Sequence, residues 1–212
     1  MKIDVAALRE EYSGADLDID SAASSPFDQF RKWFEEAVSG DLLEPNAMVL
    51  STRGEEFPDQ RTVLMKAYDD QGLVFYTNYK SSKAQQIEQH PNVSVLFPWY
   101  GLQRQVKIQG IASKISTAES FNYFTSRPYG SQLGAWVSHQ SQVISSRSIL
   151  EMKLAEMKEK FKSGKVPLHD FWGGYRVEPE AFEFWQGRPN RLHDRLLYEK
   201  EGTSWNIKRL SP

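Results

Sequence analysis

The feature of this sequence that most restricts its fold is a change of hydrophobic period, which occurs twice. From residue 47, apolar residues alternate with polar ones in "AMVLST", "RTVLMKAY", "LVFYTN", "VSVLFPW" and "RQVKIQGIASKI", a pattern typical of β-strands. Helical patterns follow over much of residues 116–161, and strand patterns return from "WGGYRVEP" onward. Strands early and late with helices between them predict a mainly β, α+β fold: a barrel or sheet of antiparallel strands with a smaller helical lobe.

The helical segments are marked by their terminal residues. In "SPFDQFRKWFEEAV", Ser25 is placed to cap the helix, because a serine hydroxyl accepts a hydrogen bond from a free backbone N–H of the first turn. In "STAESFNYFTSR", Ser116 and Glu119 have the spacing of a capping box, and the helix is predicted to stop at Arg127–Pro128. A long helical pattern then covers roughly Ser146–Phe161.

The length of 212 residues suits one domain. Residues 1–25 run into "SGADLDIDSAASS", which is small, polar and acidic, and we interpret them as a flexible N-terminal arm. Residues 26–212 then form a single domain, with the helical side-lobe at about 116–165.

Composition excludes several classes of function. The formal net charge of −2 argues against a nucleic-acid partner, and the absence of Cys excludes thiolate chemistry. No apolar run approaches ~18 residues, so we expect a soluble, cytoplasmic protein without a membrane partner. Phosphate-loop and dinucleotide motifs are absent, and the four His have no metal-like spacing. A phosphorylated ligand would therefore be bound by side-chain cations.

The stretch "FWQGRPNRLHDRLLYEK" concentrates such cations. Arg191, His193 and Arg195 are spaced by two, so an extended strand places them on one face. Leu192 and Leu196 would take the other face, toward the core. Burying three potential cations without a counter-anion costs several kcal/mol, so this face is either solvated or in contact with an anionic ligand.

Two further segments offer cations near the ends of strands and helices. Arg61 and Lys66 are five residues apart, so a regular strand places them on opposite faces, touching different anions or different parts of one site. They could equally be strand-end cations at the rim of a barrel. Ser81, Ser82 and Lys83 stand where a helix begins, which suits a phosphate, although Ser81 could simply cap that helix.

The segment "NYFTSRPYGSQ" is a candidate clamp for a phosphate monoester. Tyr123 and Arg127 share one helix face, and Ser131 lies just past a predicted turn at Pro128–Gly130. Arg offers two parallel donors to phosphate oxygens. Alternatively, Tyr123 faces the core and Arg127 is a cation that stabilises the helix C-terminus.

Together these segments resemble the pyridoxine/pyridoxamine 5′-phosphate oxidase family. The matching stretches cover roughly residues 26–212 in family order and include "RTVLMK", "SSKAQQIE", "YFTSRP", "SQLGAWVSHQS", "EFWQG" and "RLHDR". The resemblance implies a split β-barrel flavoprotein that is a homodimer, with FMN held noncovalently where two subunits meet. It implies oxidation of pyridoxamine or pyridoxine 5′-phosphate to pyridoxal 5′-phosphate by O2. Hydride would pass from substrate C4′ to flavin N5, with release of hydrogen peroxide and, from the amine, ammonia.

The resemblance also assigns residues. The FMN contacts would be Arg61, Thr62, Val63, Leu64, Met65, Lys66, Tyr76, Thr77, Ser82, Lys83, Gln105, Gln140, Ser141, Trp185 and Arg195. The substrate contacts would be Lys66, Tyr123, Arg127, Ser131, Arg191, Leu192 and His193, with Arg9 and Tyr12 from the arm. Arg191 and His193 would be the catalytic pair, with roles in positioning and charge stabilisation.

Two positions depart from the family pattern. Ser82 stands where the family usually has Arg, which removes one cation from the FMN phosphate site unless Lys80 or a water replaces it. Glu10 stands at an arm position that is often basic. Two other functions stay open: a split-barrel FMN reductase with a different substrate, and a non-catalytic flavin or pyridoxal-phosphate carrier.

Overall fold

The computed structural model describes residues 3–8 and 10–212, and the predicted fold class, mainly β with helices, is confirmed. The helices are α1 (Pro26–Ser39), α2 (Ser82–Gln89), α3 (Thr117–Ser126), α4 (Tyr129–Val137) and α5 (Ser148–Lys160), with short 3-10 turns at Val5–Ala7, Ile19–Ser21, Tyr100–Leu102 and Pro189–Arg191. The strands are β1 (Ala47–Arg53), β2 (Pro58–Leu64), β3 (Ala67–Asp69), β4 (Gly72–Asn78), β5 (Asn92–Trp99), β6 (Arg104–Lys114), β7 (Trp172–Gln186), β8 (Asp194–Glu201) and β9 (Ser204–Arg209).

The nine strands form one sheet in the order β2-β1-β5-β6-β7-β4-β3, and β8 pairs with both β7 and β9. The pairs β3–β4, β4–β7, β7–β8 and β8–β9 are antiparallel. The long strand β7 pairs with β4 over its first residues, where Trp172 is opposite Asn78. Over its last residues it pairs with β8, where Gln186 is opposite Asp194.

The chain divides into two compact units. The terminal unit contains the chain up to Val49 together with Ser94–Gln109 and Pro179–Pro212, and the central unit contains Leu50–Val93 and Gly110–Glu178. In the described part of the chain, no helix has both the length and the apolar character needed to cross a membrane.

An aromatic core holds α1 in the terminal unit. The helix begins as predicted, because the Ser25 side chain accepts a hydrogen bond from the N–H of Phe27 at 3.2 Å. The Phe30 ring lies 5.2 Å from that of Phe97, and Trp33 packs edge-on against Phe184 at 5.4 Å. Each ring pair of this kind adds about 0.5–1.5 kcal/mol beyond area burial, so these contacts fix α1 on its strands.

The helices of the central unit follow the predicted signals with one exception. The capping box of Ser116 and Glu119 is formed, and α5 begins and ends within two residues of the predicted segment. The predicted turn at Pro128–Gly130 is wrong, because α4 begins at Tyr129 with Pro128 as its N-cap. Pro128 disfavours a helical conformation at Arg127, the C-cap of α3, and its own non-helical backbone forms the N-cap of α4.

Candidate functional site

A cavity of about 760 Å³, which we call the cationic cavity, lies in the central unit. Its volume falls in the range typical of small-molecule sites. Four cationic side chains line it: Arg61, Lys66, Lys83 and Arg127. Further predicted residues in its wall are Thr62, Val63, Leu64, Tyr76, Thr77, Ser82, Tyr123, Ser131, Gln140 and Ser141. Residues from three separate predicted segments thus meet at one site.

Arg61 and Lys66 both line the cationic cavity, as expected if they touch different parts of one site, although the regular strand assumed for them does not extend to Lys66. The regular strand ends at Leu64, and the N–H of Lys66 donates to the carbonyl of Val74 at 2.8 Å. The interruption of the strand breaks the alternation on which the prediction relied. Met65, a predicted FMN contact, is buried in the core and is not among the residues that line the cavity.

The guanidinium of Arg61 is fixed by a network of protein groups. It forms an ion pair with Asp59, and its nitrogens donate to Thr52 Oγ1 at 2.5 Å and to Gln86 Oε1 at 3.1 Å. The Gln86 amide also donates to Asp59 at 3.1 Å. The hydrogen bond from Gln86 and the charge of Arg61 together hold the pKa of Asp59 below its usual value. Asp59 and Gln86 were not predicted: Asp59 is two residues from Arg61 and shares its strand face but was not considered, and no spacing in the sequence connects Gln86 to Arg61.

Lys83 is buried against uncharged groups. Its side chain is only 8% exposed, and its Nζ lies 3.0 Å from Gln140 Oε1, 3.4 Å from Thr77 Oγ1 and 3.5 Å from Ser81 Oγ. Ser81 forms no side-chain hydrogen bond with the start of α2, so it is not a simple helix cap. Burial lowers the pKa of Lys83, and the nearby charge of Arg61 lowers it further. A buried ammonium of this kind favours an anion beside it.

Ser82, which stands where the family pattern has Arg, brings no positive charge to the cationic cavity. The N–H of Ser82 donates to Ser141 Oγ at 3.2 Å, which connects α2 to the segment after α4. Lys80 lies over the ring of Phe171, 5.2 Å from its centre, and does not line the cationic cavity.

Arg127 is held by aromatic rings. Its Cζ lies 4.7 Å from the centre of the Trp172 ring and 5.9 Å from that of Phe124. Its Nη1 is buried and finds no hydrogen-bond partner in the part of the chain that the structure describes. Burial lowers the pKa of the Arg127 guanidinium. Two further cavity residues, Tyr76 and Tyr123, stack on each other with their ring centres 3.9 Å apart. Burial raises the pKa of both phenols.

In the terminal unit, Arg191, His193 and Arg195 were predicted to lie on one strand, but only Arg195 is part of β8. β8 starts at Asp194, and Arg191 has a left-handed φ of 61°. Leu192 is 69% exposed and does not face the core. The alternation over Arg191, Leu192 and His193 is therefore wrong. The preceding Pro189 cannot donate to a strand ladder, which explains why pairing starts beyond this segment.

Arg191 and His193 instead line a cavity of about 160 Å³ with residues 8 and 10–12 of the arm. The His193 ring packs 4.6 Å from Trp185 and 5.5 Å from Tyr12. Its Nδ1 accepts a hydrogen bond from the N–H of Arg188 at 3.1 Å. This bond assigns the ring proton of neutral His193 to Nε2. Arg9, predicted as a substrate contact, lies outside the described residues.

The remaining predicted residues also belong to the terminal unit. Gln105 lies on β6 and Trp185 on β7, and Arg195 on β8 binds Glu183. With Arg191 and His193 these residues form a second set, which does not line the cationic cavity.

Known protein families match most of the chain. A family described as pyridoxamine 5′-phosphate oxidase matches residues 34–161, and a C-terminal dimerisation region of pyridoxine 5′-phosphate oxidase matches residues 172–212. The chain belongs to the pyridoxamine 5′-phosphate oxidase family. The resemblance stated from the sequence is therefore confirmed.

Relatives named pyridoxine/pyridoxamine 5′-phosphate oxidase are similar to this family member over their full lengths. The protein of Crocosphaera subtropica is 60% identical and that of Rippkaea orientalis 59% identical, each over 99% of this chain and 100% of the relative. Among solved structures, PhzG from Burkholderia lata in complex with tetrahydrophenazine-1-carboxylic acid is 27% identical, with a TM-score of 0.89 over 96% of this chain and 100% of that one.

Glu183 is a residue of this family member that the sequence analysis did not single out. It is buried on β7, where its carboxylate forms ion pairs with Lys107 and, at 2.8 Å, with Arg195. Burial alone would raise the pKa of Glu183, but hydrogen bonds from Lys107 and Arg195 outweigh it and lower the pKa. Glu183 therefore holds the side chain of a predicted FMN contact.

We expect Glu183→Gln to lower the free energy of unfolding by about 1.5–3 kcal/mol at neutral pH, since hydrogen bonds to charged partners are lost. A lowered carboxyl pKa stabilises the fold above the unfolded value of about 4.3 and ceases to do so as the pH falls through the folded value. The difference between the two proteins should therefore shrink in acid, as measured by denaturant unfolding at several pH values. Glu180→Gln is the control, because its bond to Lys200 at 3.3 Å is on the surface. An equal effect of the two substitutions would contradict the assignment.

Proposed function

We propose that this chain is an FMN-dependent oxidase that converts pyridoxamine 5′-phosphate or pyridoxine 5′-phosphate to pyridoxal 5′-phosphate with O2 as acceptor. The observation that carries the proposal is the unbalanced charge of the cationic cavity. Among the described residues, the hydrogen-bond partners of the buried Lys83 are uncharged, and the buried Nη1 of Arg127 has none. The names of the full-length relatives support the same reaction.

The residues of the cationic cavity fit two phosphate groups. Lys83, near Arg61, would hold the phosphate of FMN, because a buried ammonium among neutral oxygens gains most from a nearby anion. Arg127, with Lys66, Tyr123 and Ser131, would hold the phosphate of the substrate. Arg61 keeps its own counter-ion, Asp59. At the FMN phosphate, Lys83 therefore supplies most of the positive charge that is available to the ligand.

When bound, FMN would supply the redox chemistry, as acceptor of the hydride of substrate C4′ with O2 as the final acceptor that is reduced to hydrogen peroxide; the imine left by the amine substrate would be hydrolysed by water to the aldehyde and ammonia. The residues of the chain bind the flavin and the substrate and orient them. Holding the substrate phosphate and the flavin phosphate in fixed places turns an encounter between two molecules into a positioned one.

Arg191 and His193 would act on the substrate side. An Arg, whose pKa lies above about 12, is a poor base, so Arg191 contributes positioning and charge stabilisation. His193 has Nδ1 engaged by Arg188, which leaves its Nε2 proton available to donate to the substrate.

The enzyme would be a homodimer with FMN where two subunits meet. The family match to a dimerisation region at residues 172–212 supports this arrangement, and it includes Trp185, Arg191, His193 and Arg195. These residues do not line the cationic cavity. In the proposed dimer they complete the site of a flavin and substrate bound in that cavity.

The decisive experiment is an absorption spectrum of the purified protein, followed by addition of pyridoxamine 5′-phosphate without oxygen. We expect flavin bands that bleach with pyridoxamine 5′-phosphate and bleach far more slowly with unphosphorylated pyridoxamine, because the latter has no group for Arg127. Bleaching by reduced nicotinamide cofactors alone would favour a flavin reductase. Binding of the phosphorylated ligand without any bleaching would favour a carrier.

A further inference from the structure

We propose that Trp172 is a positioning residue for the substrate phosphate, holding the guanidinium of Arg127 against its ring so that the N–H groups of that guanidinium stay available to a phosphate monoester. The inference deepens the proposed function and rests on it. Trp172 lines the cationic cavity but was not assigned a role from the sequence.

The two arginines of the cationic cavity are held in different ways. The guanidinium of Arg61 donates to Thr52, Gln86 and the carbonyl of Leu50 and pairs with Asp59, so protein groups occupy most of its donors. The guanidinium of Arg127 makes no hydrogen bond to a described residue, and its contacts are ring faces. A cation–π contact fixes the position of a guanidinium without occupying its N–H donors.

The ring of Trp172 is itself rigid. It is 8% exposed and belongs to the core of the central unit. It is nearly parallel to Tyr76 at 5.4 Å and to Tyr123 at 6.2 Å, and it packs edge-on against Phe124 at 5.2 Å. Aromatic neighbours on several sides prevent the indole from changing rotamer without disturbing the core.

This arrangement has a chemical consequence for recognition. A guanidinium binds phosphate best through two parallel N–H groups, which requires a fixed plane. The contact with Trp172 fixes the position of the guanidinium plane in the ligand-free protein. No described residue competes with a ligand for the buried Nη1. The preference for a phosphorylated over an unphosphorylated ligand therefore depends on a side chain that need not touch the phosphate.

The test compares Trp172→Leu and Trp172→Phe in the FMN-loaded protein. Calorimetric titration gives the affinities for pyridoxal 5′-phosphate and for pyridoxal, and steady-state assays give kcat and KM for pyridoxamine 5′-phosphate. Because a desolvated cation–π contact is worth about 2 kcal/mol, we expect Trp172→Leu to weaken pyridoxal 5′-phosphate binding by about 10–30-fold and to raise KM similarly. Pyridoxal and FMN binding should change less than about threefold, and Trp172→Phe should restore most of the loss.

A double-mutant cycle keeps the inference testable if Trp172→Leu does not fold. In the Arg127→Met background, Trp172→Met, which keeps an apolar side chain but has no ring face, should cause no additional loss of pyridoxal 5′-phosphate affinity, because the effect of the ring is transmitted through Arg127. Additive losses, or equal losses for pyridoxal 5′-phosphate and pyridoxal, would overturn the inference. A wild-type protein that binds pyridoxal 5′-phosphate with this dependence on Trp172 but does not oxidise pyridoxamine 5′-phosphate would refute the proposed function and support the inference.

Discussion

Replacing Lys83 by methionine is expected to weaken FMN binding by about 10–100-fold, the loss that follows when a charge-assisted hydrogen bond of about 1.5–3 kcal/mol is removed. The side chain is buried among neutral oxygens, and the neighbouring Arg61 is already paired with Asp59, so Arg61 compensates only in part for the lost charge. Titration of the FMN-free protein with FMN, followed by the quenching of flavin fluorescence, measures the effect.

The same substitution should leave the free energy of unfolding of the FMN-free protein unchanged or raise it, because a buried cation without an anion is destabilising. Burial lowers the pKa of Lys83. Its penalty is therefore present at neutral pH and is relieved as the pH rises from the folded value toward the unfolded value of about 10.4. FMN affinity should fall over the same alkaline range in the wild type and stay flat in Lys83→Met.

Lys80→Met is the matched control for this prediction. Lys80 is three residues away and exposed, and it does not line the cationic cavity. Its removal should change FMN affinity by less than about twofold, as expected for an exposed charge. If Lys80→Met weakened FMN binding as much as Lys83→Met, Lys80 would be the cation that replaces the missing Arg, and the role assigned to Lys83 would be wrong.

The second large effect is expected from Arg127→Met. Loss of a bidentate contact with phosphate should raise KM for pyridoxamine 5′-phosphate by about 30–100-fold. FMN affinity should change little, because the flavin phosphate is assigned to Lys83 and Arg61. Steady-state kinetics with pyridoxamine 5′-phosphate and flavin titration of the same preparation separate the two effects.

Arg127→Lys is the companion variant. It keeps the charge but loses the two parallel donors, so its KM should lie between those of the wild type and Arg127→Met. A loss of FMN equal to the loss of substrate binding would show that Arg127 serves the cofactor. Equal losses for pyridoxamine 5′-phosphate and pyridoxamine would show that it does not recognise phosphate.

The parts of the fold that could be predicted are those with local signals. A capping residue such as Ser25, or the capping box of Ser116 and Glu119, acts on neighbouring N–H groups and needs nothing distant. α4 was missed because Pro128 and Gly130 suggest a turn when taken alone. The burial of Leu133 and Val137, four residues apart, stabilises a helix there, and that burial depends on tertiary packing.

The cations of the candidate site could be predicted from the sequence, whereas the residues that hold those cations in place could not. Family resemblance assigned Arg61, Lys83 and Arg127, and all three line the cationic cavity. Gln86 and Trp172 were missed, because their roles come from contacts between distant segments. The predicted alternation is wrong at Arg191, since a left-handed backbone conformation at a non-glycine residue has no signature in hydrophobic period.

The helix α4 links the two proposed phosphate positions mechanically. It begins near Ser131, which lines the substrate end of the cationic cavity, and the residues just after it, Gln140 and Ser141, contact Lys83 and Ser82. Nine helical residues make a stiff rod about 13 Å long. A displacement of α4 on binding at one end would be carried to the other end, and in that case the cofactor site and the vitamin site would change each other's affinity by the same factor, as thermodynamic reciprocity requires.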